Sequence, residues 1–75
     1  MFHLIKFNTD AHVDVEISPR HRLKHLRIRA GTIARVILRP HIAEAAAGPV
    51  EVADLFFQDG IATRHVPFKK FRFIE

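Results

Sequence analysis

The pattern of apolar and polar positions predicts a chain of short β-strands. Val13, Val15 and Ile17 alternate with polar residues, and a period of two predicts a strand with one buried face and one solvated face. Residues 2–7 are apolar on both faces, and a turn-forming cluster at 8–11 separates the two runs. These runs are therefore predicted to pair as a β-hairpin.

The last third of the chain predicts three more strands. Residues 50–57 are rich in branched and aromatic side chains, and the Asp-Gly pair at 59–60 is typical of a hairpin turn. The return strand is predicted over 61–66, and Pro67 ends it. Alternation resumes over 68–74, which predicts a final strand.

The region after the first hairpin allows two interpretations. A serine–proline start and Gly31 at the end would frame a helix over 19–30. Against a helix, its first turn would carry three basic residues, where the helix dipole favours acids. The alternation over 26–30 also favours a strand. We predict a turn at 18–22 followed by a strand over 23–29.

The centre of the chain predicts one strand between two turns. Gly31 supplies the positive φ that a tight turn at 30–32 requires. A strand is predicted over 33–39, and Pro40 is predicted to end it. Residues 41–47 contain good helix formers, which allow at most one short helical turn.

Together these elements predict an all-β fold in a single small domain over residues 1–75. Six to seven short strands, with turns about every eight to twelve residues, are typical of a small antiparallel barrel or sandwich. The predicted connection is a consecutive meander. Cysteine is absent, which excludes disulfides and thiolate metal sites. The fold must therefore rely on its apolar residues, among them seven Phe, or on a partner.

Several turn and strand signals follow one another in the last two thirds of the chain. They are a Gly-Thr turn at 31–32, a strand over 50–57, an Asp-Gly pair at 59–60, and a Val-Pro pair at 66–67 before Phe71. In this order of signals, residues 24–75 resemble the small SH3-like barrels. The resemblance implies a binding module, often an accessory subunit or an RNA- or ribosome-associated domain, with no catalytic residues.

Basic residues are concentrated in the middle of the chain. The formal net charge is +4, and no acidic residue occurs between Ile17 and Ala43. This window contains seven of the twelve Lys and Arg. We expect a positive side that attracts anionic partners with a salt-dependent strength. The alternative is a solvated face that keeps a small apolar protein soluble.

The sequence provides little for catalysis or for a cofactor. Ser18 is the one serine, and Cys and Tyr are absent. No pair of carboxylates is specified by spacing, and a core this small leaves little volume for a pocket that positions a general base. We therefore predict no catalytic residues, no cofactor and a non-enzymatic protein.

Six histidines raise a metal hypothesis. His21 and His25 would share one face of a helix, but on a strand they would stand about 13 Å apart. His3 and His12 would face each other across the predicted hairpin. Surface histidines are common, so we assign no metal site. Histidine-based binding of a metal or small ligand is the third hypothesis.

Adjacent bulky residues indicate more apolar faces than one small core needs. Phe56 and Phe57 must point to opposite sides of a strand, and exposed apolar patches commonly mark partner surfaces. A protein partner or a homo-oligomer would cover the surplus. The predicted docking residues are Phe56, Phe57, Phe71 and Phe73, although the alternation over 70–73 also fits a half-buried edge strand.

The preferred hypothesis is a non-enzymatic accessory or adaptor domain that docks through apolar strand faces. Its basic side would contact an acidic partner through Lys24, Arg27, Arg29, Arg35 and Arg39, the four arginines projecting from two adjacent strands. The alternative is a small barrel that binds RNA or single-stranded DNA with the same arginines on phosphates. The apolar opening is broken by Lys6 and is too short for a signal or a membrane span. We expect a cytoplasmic protein that does not bind membranes.

Overall fold

The fold is all-β, as predicted. The computed structural model describes residues 1–74. The strands are β1 (His3–Phe7), β2 (Ala11–Ser18), β3 (His21–Ile28), β4 (Ile33–Ala45), β5 (Gly48–Phe57), β6 (Ala62–Pro67) and β7 (Phe71–Phe73), with one 3-10 turn at Phe68–Lys70. The choice between helix and strand after Ser18 is therefore settled as strand. Within these residues, no helix has the length and apolar character needed to cross a membrane.

All seven strands lie in one antiparallel sheet with the order β3-β2-β6-β5-β4-β1-β7. The predicted consecutive meander is wrong, because β1 pairs with β4 and β7 and not with β2. The predicted hairpin over 2–17 does not form. Pairing with β4 and β7 instead places Ile5 and Phe7 of β1 in the core. Ile5, at the centre of the strand, is opposite Ala34 on one side and Phe73 on the other.

β4 does not end at Pro40. The strand runs for 13 residues and continues to Ala45, where a two-residue turn leads into β5. β1 pairs with β4 only as far as Val36, whereas β5 pairs with β4 from Val36 to Ala45. At Pro40, β4 therefore pairs with β5 on one side only. A proline is tolerated at such a position because its missing N–H need not donate to a second strand. The helix formers at 41–47 form no helical turn.

The core lies on the concave side of the sheet. Its buried residues come from six strands, namely Ile5, Phe7, Ala11, Val13, Val15, Val36, Ala53, Leu55, Val66 and Phe71. Strands that are far apart in the strand order of the sheet contribute to this one cluster, so the sheet curls around it. β3 contributes only the partly buried Ile28. Between residues 1 and 74 no ladder joins β3 to β7.

Two predicted turns are confirmed. β5 and β6 form a hairpin around Gly60, and Gly31 turns the chain before β4; both glycines have φ of 90°. The predicted strand over 68–74 is replaced by the 3-10 turn and the three-residue β7. The ring of Phe68 packs 5.3 Å from the ring of Phe71, so the turn brings the Phe68 side chain against the core.

Candidate functional site

A β-bulge occurs in each of two neighbouring hairpins, and the two bulges have the same construction. In the β2–β3 hairpin, Lys24 and His25 together oppose Asp14. The backbone of His25 has a φ of 56°, and its N–H donates to Oδ1 of Asp14 at 3.3 Å. In a bulge the extra residue is left without a partner in the ladder, and here the carboxylate of Asp14 accepts the hydrogen bond from its amide.

The β5–β6 hairpin repeats this bulge forty residues later. Arg64 and His65 oppose Asp54, His65 has a φ of 58°, and its N–H donates to Oδ1 of Asp54 at 3.1 Å. In both hairpins the histidine follows its aspartate by 11 residues. The hairpins lie side by side, because β2 pairs with β6 through Val15 and Thr63.

Asp54 has more partners than Asp14, and it is 7% exposed. Nε2 of His41 lies 3.0 Å from its Oδ1, and the guanidinium of Arg64 donates to its Oδ2 at 3.1 Å. The ring centroids of His41 and His65 are 4.9 Å apart. Three adjacent strands, β4, β5 and β6, therefore bring His41, Asp54 and His65 together. We call these three residues the Asp54 cluster.

The environment of Asp54 favours its ionised form. Burial raises the pKa of this carboxyl. The hydrogen bonds from His41, from the His65 amide and from Arg64 outweigh burial and hold the pKa below its ordinary value. A carboxylate that is buried and ionised requires such partners.

Two arginines cover the ring of Phe56 on the convex side of the sheet. The guanidinium carbons of Arg39 and Arg64 each lie 5.3 Å from the ring centroid. Arg64 also reaches Glu16 at 3.4 Å. An open, mainly charged depression of about 380 Å³ lies between the two bulges, lined by Asp14, Glu16, Arg22, Lys24, Arg64 and His65.

A second depression, on the concave side, is almost entirely apolar. It has a volume of about 300 Å³ and lies between β3 and the core. Its lining includes the apolar Ile17, Leu23, Leu26, Ile28, Phe57 and Ile61, and also the acidic Asp59. Thr63 also lines it, and the buried Oγ1 of Thr63 has no hydrogen-bond partner within the described residues. We call this depression the β3 groove.

The predicted docking phenylalanines do not form one surface. Phe56 and Phe57 do point to opposite sides, since Phe57 packs against the core and Phe56 lies under the arginines. Phe71 is 4% exposed and belongs to the core, so it is corrected from a docking residue to a structural one. Phe73 is half exposed, but it lies on β7 beside His3.

The predicted basic contacts lie on two separate parts of the sheet. Lys24 and Arg27 belong to β3 and Arg29 follows it, whereas Arg35 and Arg39 belong to β4. These strands are not adjacent, because β2, β6 and β5 stand between them. The predicted stripe of arginines on neighbouring strands is therefore wrong. It assumed that strands adjacent in sequence also pair.

The histidines that meet are not those that sequence spacing indicated. His3 and His12 lie on β1 and β2, which are not neighbours. His41 and His65 are 24 positions apart in the chain, and no simple motif joins them. One signal was present, namely the repeated spacing from an aspartate to a basic–histidine pair.

Comparison with protein-family models, with curated proteins and with solved structures finds no match to this chain.

Proposed function

We propose that the protein is a non-enzymatic adaptor domain that binds an extended, acidic segment of a partner protein along β3. The observation that carries the proposal is the combination, on one end strand, of an apolar groove and a dense row of basic residues. The all-β fold is the class expected from the resemblance to SH3-like barrels, which are commonly binding modules. A cytoplasmic role is part of the proposal.

Exposed apolar side chains support docking at the β3 groove. Ile17, Leu23 and Leu26 are 43%, 41% and 44% exposed, and all three line the same groove. Single exposed apolar residues are common on proteins, but residues gathered around one depression typically mark a binding surface. A partner side chain entering the groove would remove these side chains from water, at about 25 cal/mol per Å² of apolar surface.

The charge of β3 indicates what kind of segment fits. The strand and its two ends carry no acidic residue and five exposed basic ones, namely Arg20, Arg22, Lys24, Arg27 and Arg29. An acidic segment would complement this charge. A second copy of the chain is a poorer occupant, because antiparallel pairing of two β3 strands brings basic residues close to basic residues.

The backbone of β3 adds a further contact surface. Within residues 1–74, β3 pairs with β2 alone, so its outer side is open to an added strand. The bulge at His25 interrupts the regular ladder, and bulges protect strand edges against indiscriminate pairing. A partner segment therefore needs side chains that match the groove and the basic row.

The same features favour a protein over a nucleic acid. Proteins that bind single strands place exposed aromatic rings beside basic residues, so that bases stack on them. The ring of Phe56 is covered by two arginines, and Phe71 is buried. Phe73 is exposed, but β7 and β3 are at opposite ends of the ladder order.

The test uses fluorescence anisotropy with synthetic probes. The main probe is an extended peptide of about ten residues that alternates glutamate with valine, and the comparison probes are its lysine–valine counterpart and mixed RNA and DNA oligonucleotides. Titrations at about 50 and 200 mM salt separate electrostatic from apolar contributions. We expect the acidic peptide to bind, with part of its affinity retained at the higher salt. The lysine–valine peptide and the oligonucleotides should not bind.

A matched pair of variants locates the binding surface. Leu23→Ser should weaken peptide binding severalfold, whereas Ile37→Ser should not, since Ile37 is also 41% exposed but lies outside the groove. Strong oligonucleotide binding with a steep salt dependence would instead support the nucleic-acid alternative and overturn the proposal. A stable dimer that loses its association through Leu23→Ser would show that a second copy occupies the groove.

A further inference from the structure

We infer that His41, Asp54 and His65 form a binding site for one divalent late transition-metal ion, with Ni²⁺ and Cu²⁺ preferred over Zn²⁺. The inference concerns the Asp54 cluster on the convex side and does not depend on partner binding at the β3 groove. Two imidazoles and one carboxylate are a common donor set for such ions.

The distances within the cluster are close to those that a metal site requires. Each of the three residues offers one ligand atom, and these atoms all lie within 4.8 Å of one another. Two ligands on opposite sides of an ion are separated by about 4.2 Å, which is twice the usual bond length. His65 is exposed, so a small rotation of its ring can close the remaining gap. The other two ligand atoms are already closer together.

The separation between His41 and Asp54 indicates the preferred geometry. Nε2 of His41 and Oδ1 of Asp54 are 3.0 Å apart. With metal–ligand bonds of about 2.0–2.2 Å, this separation corresponds to an angle of about 90° at the ion. That angle fits neighbouring positions of a square or octahedral site, whereas a tetrahedral site needs about 3.4 Å between ligands. Square and tetragonal N/O sites are typical of Cu²⁺ and Ni²⁺.

The surrounding residues hold the ligands in position. The carboxylate of Asp54 is fixed by the His65 amide and by Arg64, and outer partners of this kind orient metal ligands. The ligands also stand on three neighbouring strands of one sheet, which is a more rigid base than a loop. The positive charge of Arg64 opposes the ion, and its ion pair with Glu16 at 3.4 Å reduces that opposition.

The first hairpin provides an internal control. Asp14 and His25 reproduce the carboxylate and the bulge histidine, with the same backbone bond. The three-residue grouping found in the described part of the chain, however, is His41, Asp54 and His65. The Asp14 bulge should therefore bind the ion far more weakly than the Asp54 cluster.

The test is isothermal titration calorimetry of chelator-treated, tag-free protein with NiCl₂, CuCl₂ and ZnCl₂ in turn. We expect one ion per chain and an affinity order of Cu²⁺, then Ni²⁺, then Zn²⁺. His41→Gln and His65→Asn should each weaken Ni²⁺ binding by at least about tenfold, the lower end of what loss of even an outer partner causes. Gln retains a donor towards Asp54, and Asn tolerates the positive φ at this position, so both variants should fold.

His25→Asn is the matched control, because it makes the same change in the equivalent bulge. It should leave the Ni²⁺ affinity unchanged. Paramagnetic broadening by Cu²⁺ in an amide NMR spectrum should centre on residues 41, 54 and 65. Failure of the wild-type protein to bind any of the three ions would overturn the inference. Equal losses in His25→Asn and His65→Asn would also overturn it, since they would indicate general association with surface histidines.

Discussion

Nε2 of His41 lies 3.0 Å from Oδ1 of Asp54, across the β4–β5 ladder. This contact links a strand that was predicted to end at Pro40 to the most heavily hydrogen-bonded carboxylate of the described chain. Had β4 ended there, His41 would lie in a loop and Asp54 would lose one of its partners. The continuation of β4 past Pro40 therefore creates the Asp54 cluster.

Removing the charge of Asp54 should destabilise the fold. Asp54→Asn leaves the Arg64 guanidinium without its closest carboxylate and places an amide NH₂ beside one of the donors. The free energy of unfolding should fall by about 1–3 kcal/mol. Urea denaturation followed by circular dichroism measures it. Asp14→Asn is the control, and its loss should be under about 1 kcal/mol because Asp14 is exposed. Equal losses would contradict the importance assigned to the Asp54 cluster.

The same carboxylate should make stability depend on pH in the acid range. The pKa of Asp54 is lower in the folded protein than its ordinary value, so the unfolded chain takes up the proton first as pH falls. The stabilisation is complete above about pH 4 and is lost as pH falls through the folded pKa. Urea midpoints between pH 7 and pH 2 test this, and the decrease should be smaller in Asp54→Asn. An identical decrease in the variant would assign the acid sensitivity to other carboxylates.

Replacing Thr63 with valine should stabilise the protein. Thr63 is 1% exposed, and its Oγ1 has no hydrogen-bond partner within the described residues. Valine has nearly the same shape without the buried hydroxyl, so the free energy of unfolding should rise by about 1 kcal/mol. Thr63→Ser retains the hydroxyl and removes a methyl group, and it should be less stable than wild type. A destabilised Thr63→Val would mean that the hydroxyl is hydrogen-bonded in solution.

Substitution of two leucines should distinguish the contribution of the core to stability from that of the β3 groove. Leu55 is fully buried, whereas Leu23 is 41% exposed. Leu55→Ala should lower the free energy of unfolding by about 2–5 kcal/mol, because it leaves a cavity in the core. Leu23→Ala should cost under about 1.5 kcal/mol, since about 41% of the residue is in water already. Thermal melting of both variants compares their losses of stability. A larger loss in Leu23→Ala than in Leu55→Ala would mean that the β3 groove, and not the core, dominates the stability of the fold.

Local signals in the sequence were sufficient for the approximate positions of most strands and for two of the turns. The alternation of Val13, Val15 and Ile17 predicted a strand, and β2 places Val13 and Val15 in the core. The Asp-Gly pair at 59–60 predicted the β5–β6 hairpin. Such patterns record how each segment divides its side chains between water and core, and this division depends on near neighbours in the chain.

Strand pairing needed information that no local pattern contains. β1 and β2 are separated by a short turn, but β1 pairs with β4 and β7. A short connection makes a hairpin entropically easy, but pairing with β4 and β7 is what places Ile5 and Phe7 in the core. This is why the predicted stripe of Arg27 and Arg35 on neighbouring strands was wrong.

The sequence by itself determined the all-β class, the approximate positions of most strands, the absence of cysteine chemistry and the basic character of β3. Tertiary structure alone decided that β3 is an end strand over an apolar groove and that His41, Asp54 and His65 meet. The reason is physical: alternation and turn residues act over a few positions, whereas the meeting of β4, β5 and β6 depends on the whole sheet. The Asp54 cluster lies where those distant segments converge.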